Sequence, residues 1–137
     1  MNRSDFQILA EIRLREAKAL LANKKFDGAY YLCGYAVECA LKSCIAKLTK
    51  KHDFPDKTLV INSYVHDLVK LIEVCGLESS LTKEIKSDPE FGNYWSIVKD
   101  WKESSRYERN RQKKACALYQ AITDEKKGVL KWIKQHW

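Results

Sequence analysis

Glycine and proline are scarce in this chain of 137 residues, which contains five glycines and two prolines. Collagen-like and low-complexity proteins need far more of both, so the composition favours long regular elements. Hydrophobic residues make up 45% of the chain and charged residues 31%, a balance that allows a packed core. We expect one domain over residues 1–137, because no linker interrupts the pattern.

Long apolar runs are also missing. No stretch of about 18 consecutive apolar residues occurs, so the sequence predicts no transmembrane helix. The first residues lack the apolar segment and small-residue cleavage site of a signal peptide, and we expect a soluble cytoplasmic protein without a membrane role.

Metal and cofactor motifs are absent as well. The five cysteines lie within apolar-periodic segments, without the paired spacing of zinc sites or the framework of secreted scaffolds. We expect them to be reduced core thiols and predict no metal and no cofactor; they are Cys33, Cys39, Cys44, Cys75 and Cys116. The net charge of +7 permits attraction to a polyanion but does not by itself indicate one.

What the sequence has in abundance is helical periodicity. Apolar residues recur at three- and four-residue spacing through residues 26–48, the clearest segment of the chain. Ser4 and Gln7 fit a capping box that predicts a first helix near residues 5–22. A last helix is predicted from about 108 to 135, packed across the second.

The middle of the chain has a weaker pattern. Pro55 and a charged run predict the main loop, and Gly76 fits a left-handed cap at the end of a third helix. The predicted elements here are a loop over 50–63, a helix over 64–75, a helical turn over 78–86, a loop at 87–89 and a short helix or turn around 93–101. The fold class is therefore all-α, an up-and-down antiparallel bundle of four to five helices.

Several stretches resemble the HEPN domain family in order and spacing. They are residues 13–21, the string from Phe26 to Lys42, His66-Asp67-Leu68, Ser105-Arg106-Tyr107 and residues 129–134. The resemblance implies a helical bundle that commonly forms a homodimer and occurs in toxin–antitoxin, phage-defence and RNA-processing systems. It also implies a minimal nucleotidyltransferase as a frequent partner.

The ribonuclease members of that family carry an Arg followed, after four to six residues, by a His. Metal-independent RNA cleavage needs a proton-transfer group, which His supplies, and a fixed cation for the phosphate, which Arg supplies. No His stands at that distance after Arg106, Arg109 or Arg111, and no Arg precedes a His at that distance. We therefore predict no catalytic residues.

A basic stretch over residues 99–114 contains aromatic side chains, as a site for single-stranded RNA or a nucleotide would. The candidate binding residues are Lys102, Arg106, Tyr107, Arg109 and Arg111. The alternative is a solvated helix surface of alternating charge, in which the nearby tryptophans belong to the core or to a dimer contact.

A second stripe combines aromatic and charged side chains at helical spacing, namely Tyr31, Tyr35, Glu38 and Lys42. Its functional interpretation is a dimer face or the lining of a cleft. The alternative is a partly buried seam in which the Tyr hydroxyls and Glu38 satisfy one another.

His66 and Asp67 precede a predicted helix, where Asp is a good N-terminal cap, so a cap is favoured over a catalytic dyad. The leading functional hypothesis is a homodimeric, non-catalytic HEPN module that pairs with a nucleotidyltransferase or binds RNA or a nucleotide through a basic groove. One alternative is a ribonuclease toxin with a non-standard site of Arg106, Tyr107, Arg109 and His66. The other is a purely structural partner subunit.

Overall fold

The computed structural model describes residues 1–49, 53, 54, 56–109 and 111–137. These residues form helices and connecting turns, with no strand among them. The helices are α1 (Arg3–Ala22), α2 (Phe26–Leu48), α3 (Lys57–Ser63), α4 (Leu68–Cys75), α5 (Glu78–Ser87), α6 (Pro89–Val98), a 3₁₀ helix (Glu103–Tyr107), α7 (Gln112–Thr123) and α8 (Val129–Lys134). The predicted all-α bundle is confirmed. No helix in these ranges combines the length and the apolar composition that crossing a lipid bilayer requires.

Helix α1 begins two residues earlier than predicted. Its cap is Asn2, whose side chain accepts from the Asp5 N–H at 2.9 Å, while the Asp5 carboxylate accepts from the Asn2 N–H at 2.9 Å. The capping box predicted at Ser4 is therefore wrong. Asn caps as well as Ser, and Asp5 closes the same reciprocal pair that Gln7 was expected to close.

Helix α2 forms the centre of the bundle and has the predicted bounds. It packs against α1, α4, α7, α8 and the 3₁₀ helix, and more than half of its residues are buried. Small residues on α2 allow this close approach; among them Ala29, Gly34, Ala36 and Ala40 are buried. Val37 of α2 and Leu118 of α7 are both fully buried, as the predicted packing of these segments requires.

The predicted loop over residues 50–63 is wrong in its second half, where α3 lies. Asp56 caps α3 by accepting from the Leu59 N–H at 2.9 Å. None of the residues of α3 is fully buried, and its apolar residues Leu59, Val60 and Ile61 are consecutive, so no stripe at three- and four-residue spacing revealed the helix. Pro55 lies outside the described residues.

Helix α4 begins at Leu68 rather than at residue 64, because Asp67 is its cap and accepts from the Lys70 N–H at 2.9 Å. The capping role predicted for Asp67 is confirmed. Gly76 adopts the predicted left-handed conformation, with φ of 71°, and ends the helix.

A single residue separates α5 from α6, where a loop of three was predicted. The Asp88 side chain accepts from the Phe91 N–H at 3.3 Å, and Pro89 occupies the first helical turn. Pro is well suited to that position because its missing N–H needs no partner there. Helix α6 therefore begins at Pro89 and ends at Val98, not at 93 and 101.

The single helix predicted over 108–135 is wrong, because a turn separates α7 from α8. The Asp124 carboxylate accepts from the N–H groups of Lys126 and Lys127 at 2.9 and 3.1 Å, which satisfies backbone donors outside a helix. A Cβ on Gly128 would lie 2.5 Å from the Asp124 carbonyl oxygen, so the turn needs glycine there. The periodicity persists across the turn because Val129 still faces the core.

Four of the five cysteines are buried free thiols, as predicted. Burial raises the pKa of Cys33 to about 12, which keeps this thiol protonated and unreactive. The prediction is wrong for Cys116, which is exposed on α7.

Trp101 anchors the segment that leads into the 3₁₀ helix. Its indole is fully buried and lies against Gly34 of α2, where a Cβ would come within 2.1–2.2 Å of the ring atoms. The missing side chain at position 34 thus makes the space for Trp101, and through it fixes the 3₁₀ helix beside α2.

We expect Gly34→Ala to destabilise the fold by about 1–3 kcal/mol, because the added methyl group overpacks a rigid aromatic contact. Gly28→Ala is the matched control, since its Cβ would meet only the end of the Leu20 side chain at 3.2 Å and alanine favours helix. Urea unfolding of both variants is the measurement. Equal stability of the two variants would contradict the anchoring role of Trp101.

Candidate functional site

Glu38 is a carboxylate in the interior of the bundle. It is 1% exposed and lies on α2 between Val37 and Cys39, which are also buried. Its Oε1 is 2.9 Å from Lys42 Nζ, one helical turn later, and 2.9 Å from His66 Nδ1. A buried carboxylate without such partners would be strongly destabilising. The Lys42 contact lies within α2, whereas the His66 contact joins α2 to the segment before α4.

The contacts continue outward from His66. Its Nε2 is 3.3 Å from Glu103 Oε2, and Glu103 Oε1 is 3.1 Å from Arg106 Nη1. We call Lys42, Glu38, His66, Glu103 and Arg106 the polar network. It is buried at Glu38 and open to solvent at the other end, where the His66 and Arg106 side chains are each 45% exposed.

Aromatic side chains line α2 beside this network. Tyr31 and Tyr35 are stacked with ring centroids 6.1 Å apart, and Tyr31 also lies 6.1 Å from the Trp101 ring. Arg13 of α1 covers the Tyr35 ring at 5.9 Å. Burial, with smaller effects of Cys39 and Glu38, raises the pKa of Tyr35, so its hydroxyl stays protonated.

Arg106 is held by aromatic groups as well as by Glu103. Its guanidinium lies 4.8 Å from the centre of the Tyr107 ring. Hydrogen bonding to Tyr107, with smaller effects of Glu103 and Tyr31, raises the pKa of Arg106. The cation is therefore permanent and its position is restrained from two sides.

The four residues of the predicted α2 stripe lie along one side of the helix, and they are partly or fully buried. Glu38 is paired with Lys42 and His66, not with the Tyr hydroxyls that the seam interpretation expected. Their role as a dimer face or cleft lining stays a prediction.

A separate groove of about 520 Å³ lies between α6 and α7. Four Lys and Arg residues line it, and Asp100 is the one acidic residue among its described lining residues. The lining therefore has three more positive than negative charges. We call it the basic groove; its lining residues are Tyr30, Ile97, Asp100, Arg109, Arg111, Lys113, Lys114 and Ala117. Lys114 Nζ lies 4.8 Å from the centre of the Tyr30 ring. Burial, then Glu108 and Asp100, raises the pKa of Tyr30.

The five predicted binding residues do not form one site in the structure. Arg109 and Arg111 line the basic groove, whereas Arg106 belongs to the polar network and contacts Tyr107. Lys102 is exposed at the start of the 3₁₀ helix. The tryptophans of the stretch, Trp95 and Trp101, are buried in the core, as the alternative interpretation allowed.

Sequence reasoning did not place His66 and Glu103 beside Glu38. One signal was available, since a carboxylate among apolar and small residues on the most buried helix needs a cationic partner. Lys42, four residues later on the same helix, is such a partner and follows from spacing. The roles of His66 and Glu103 could not be obtained in this way, because their contacts join residues far apart in the chain.

A model of the HEPN domain matches residues 9–135, nearly the whole chain. The chain belongs to the HEPN domain family. Comparison with curated proteins and comparison with solved structures each gave no significant match. Membership of the HEPN family supports a role connected with nucleotides or RNA. Within the described parts of this HEPN domain, no group of three or more His, Cys, Asp or Glu side chains is arranged to hold a metal ion.

We expect Lys42→Met to destabilise this HEPN domain by about 2–3 kcal/mol, because Glu38 would keep only the contact with His66. The double variant with Glu38→Gln should lose less than the sum of the single variants, with a coupling energy above about 1 kcal/mol in urea unfolding. The exposed pair Lys70 and Glu73, 3.0 Å apart, provides the control cycle, with a coupling energy below about 0.5 kcal/mol. Additive effects of Lys42→Met and Glu38→Gln would contradict the paired burial of Glu38.

Proposed function

We propose that this HEPN domain binds RNA or a nucleotide through the basic groove without cleaving it. The observation that carries the proposal is the composition of the groove, which is lined by four cationic side chains, one acidic residue and the edge of the largely buried Tyr30. Phosphate groups are attracted by such cations, and the apolar floor offers a surface for a base or ribose.

The size of the groove supports a ligand of nucleotide dimensions. Its volume of about 520 Å³ lies within the usual range for small-molecule sites, about 300–1,000 Å³. The cations are all exposed, so they are free to meet a phosphate chain at low desolvation cost. Tyr107 does not line this groove; it is 79% exposed beside Arg106.

The absence of the family's Arg and His pair supports binding without catalysis. Of the three histidines, His136 packs against the Trp132 ring at 5.0 Å and His66 is engaged by two carboxylates. His52 lies outside the described residues. A general acid or base must be able to meet its substrate, and neither His66 nor His136 lines the basic groove.

Association with a second copy, or with a nucleotidyltransferase, is part of the proposal. Large apolar side chains are exposed on and around α3, and a groove of about 370 Å³ there is lined by Leu59, Val60 and Tyr64 together with Met1 and Phe6 of the N-terminal region. Exposed apolar groups of this kind suit a protein partner better than they suit RNA.

Replacement of both groove arginines, Arg109→Gln with Arg111→Gln, should weaken the binding of a single-stranded RNA oligonucleotide. The slope of log affinity against log salt should fall by roughly 1.4, since each lost phosphate contact on a single strand contributes about 0.7. Fluorescence anisotropy at several salt concentrations measures both quantities. The control is Lys83→Gln with Lys86→Gln, which removes the same charge from exposed positions on α5. Equal weakening by the two double variants would show that only net charge matters. No binding by the unchanged protein would favour the structural-partner alternative.

One observation favours a second function, ribonuclease activity. His66 and Arg106 contact the same Glu103 carboxylate, so a histidine and an arginine lie near each other although they are 40 residues apart in the chain. No metal would be needed, because the 2′-hydroxyl of RNA is an internal nucleophile that a His can deprotonate.

Incubation of the purified protein with RNA in the presence of a chelator discriminates the two functions. The binding function predicts intact RNA. Ribonuclease activity predicts cleavage products that disappear in both His66→Asn and Arg106→Ala but persist in His136→Asn. Cleavage lost in both of the first two variants would replace the binding proposal with the ribonuclease.

A further inference from the structure

The Glu103 carboxylate lies between two groups that both attract anions. One oxygen, Oε1, is 3.1 Å from Arg106 Nη1, and the other, Oε2, is 3.3 Å from His66 Nε2. A phosphate group has the same chemistry at this position, since it also presents two or more oxygens to separate donors.

Arg106 and His66 are held from behind by other residues. His66 is fixed through Nδ1 by the buried Glu38, whereas Arg106 is restrained by the Tyr107 ring, 4.8 Å from its guanidinium. Removal of Glu103 would therefore leave both donors close to their present positions. A site whose donors are already placed binds an anion without the cost of ordering them.

Glu103 itself is weakly held. Its side chain is 30% exposed, and its pair with Arg106 is a local contact between residues three apart on a short 3₁₀ helix. Exposed ion pairs of this kind contribute little to stability, so a competing anion can displace the carboxylate. The site is also open to solvent, because Arg106 and His66 are both about half exposed.

We propose that Arg106 and His66 form a phosphate-binding site that Glu103 occupies as an internal competitor. The ligand is the phosphate of a nucleotide or of a single-stranded RNA, and its base stacks near Tyr107. The inference rests on the proposed function for the identity of this ligand, but the site is separate from the basic groove. Binding turns the Glu103 side chain outward and transfers its two contacts to phosphate oxygens.

The test compares Glu103→Gln with Glu125→Gln, a control that removes the same charge from an exposed turn residue. The probes are inorganic phosphate, AMP and a short single-stranded RNA, with affinities from titrations followed by the NMR signals of the His66 side chain. Glu103→Gln should bind phosphate roughly two- to fivefold more tightly than the unchanged protein, the factor expected for removal of one exposed ion-pair competitor. Glu125→Gln should stay close to the unchanged protein.

The increase in phosphate affinity should vanish when Arg106→Gln is added to Glu103→Gln. That result would show that the increase arises at this site and not from the change in overall charge. Tighter binding of AMP or RNA than of phosphate supports a nucleotide source, and an equal gain for all three probes supports recognition of phosphate alone. Equal affinities of Glu103→Gln and Glu125→Gln, or weaker binding by Glu103→Gln, overturn the inference.

The RNA-binding and phosphate-binding experiments together distinguish failure of the proposed function from failure of this inference. If RNA binding depends on Arg109 and Arg111 but is unaffected by Glu103→Gln, the internal-competitor inference falls and the basic groove stands. If RNA does not bind but Glu103→Gln still strengthens phosphate binding, the inference stands and the proposed function falls. Circular-dichroism melting of each variant checks that the bundle is intact before either comparison.

Discussion

The burial of α2 is the constraint on which the rest of the structure depends. Because other helices cover most of its circumference, a polar side chain on α2 must find its partners inside the protein. Glu38 meets this requirement at Oε1, through Lys42 on its own helix and His66 before α4, whereas its Oε2 is buried without a hydrogen-bond partner among the described residues. The segment before α4 is thereby fixed against α2, and the outer ring nitrogen of His66 is directed to the 3₁₀ helix.

The 3₁₀ helix is also held beside α2, but by an apolar contact rather than an ion pair. Gly34 leaves room on α2 for the Trp101 indole. This apolar contact places Glu103 and Arg106, the solvent-facing members of the polar network, beside His66. A buried ion pair and a buried aromatic ring thus position the two sides of one solvent-facing site. The basic groove is lined by residues that follow the same segment, where Arg109 and Arg111 lead into α7.

The parts of the fold that follow from local signals were predictable from the sequence. The apolar period of α2, the Asp67 cap and the left-handed Gly76 are such signals, and all three were confirmed. Helix α3 was missed because it buries no side chain, and the break at Asp124 was missed because the apolar period continues across it. The candidate residues of the basic stretch were identified, but their division between two sites depends on long-range packing that spacing does not encode.

His66 links the buried Glu38 to the partly exposed Glu103. The most direct measurement is a long-range proton–nitrogen NMR spectrum of the histidine side chains, assigned by single substitutions and recorded for Glu38→Gln and for Glu103→Gln. If His66 makes this link, its Nδ1 signal should move most in the first variant and its Nε2 signal most in the second, while the signals of His136 stay in place. A His66 ring whose two nitrogen signals are the same in both variants as in the unchanged protein would contradict it.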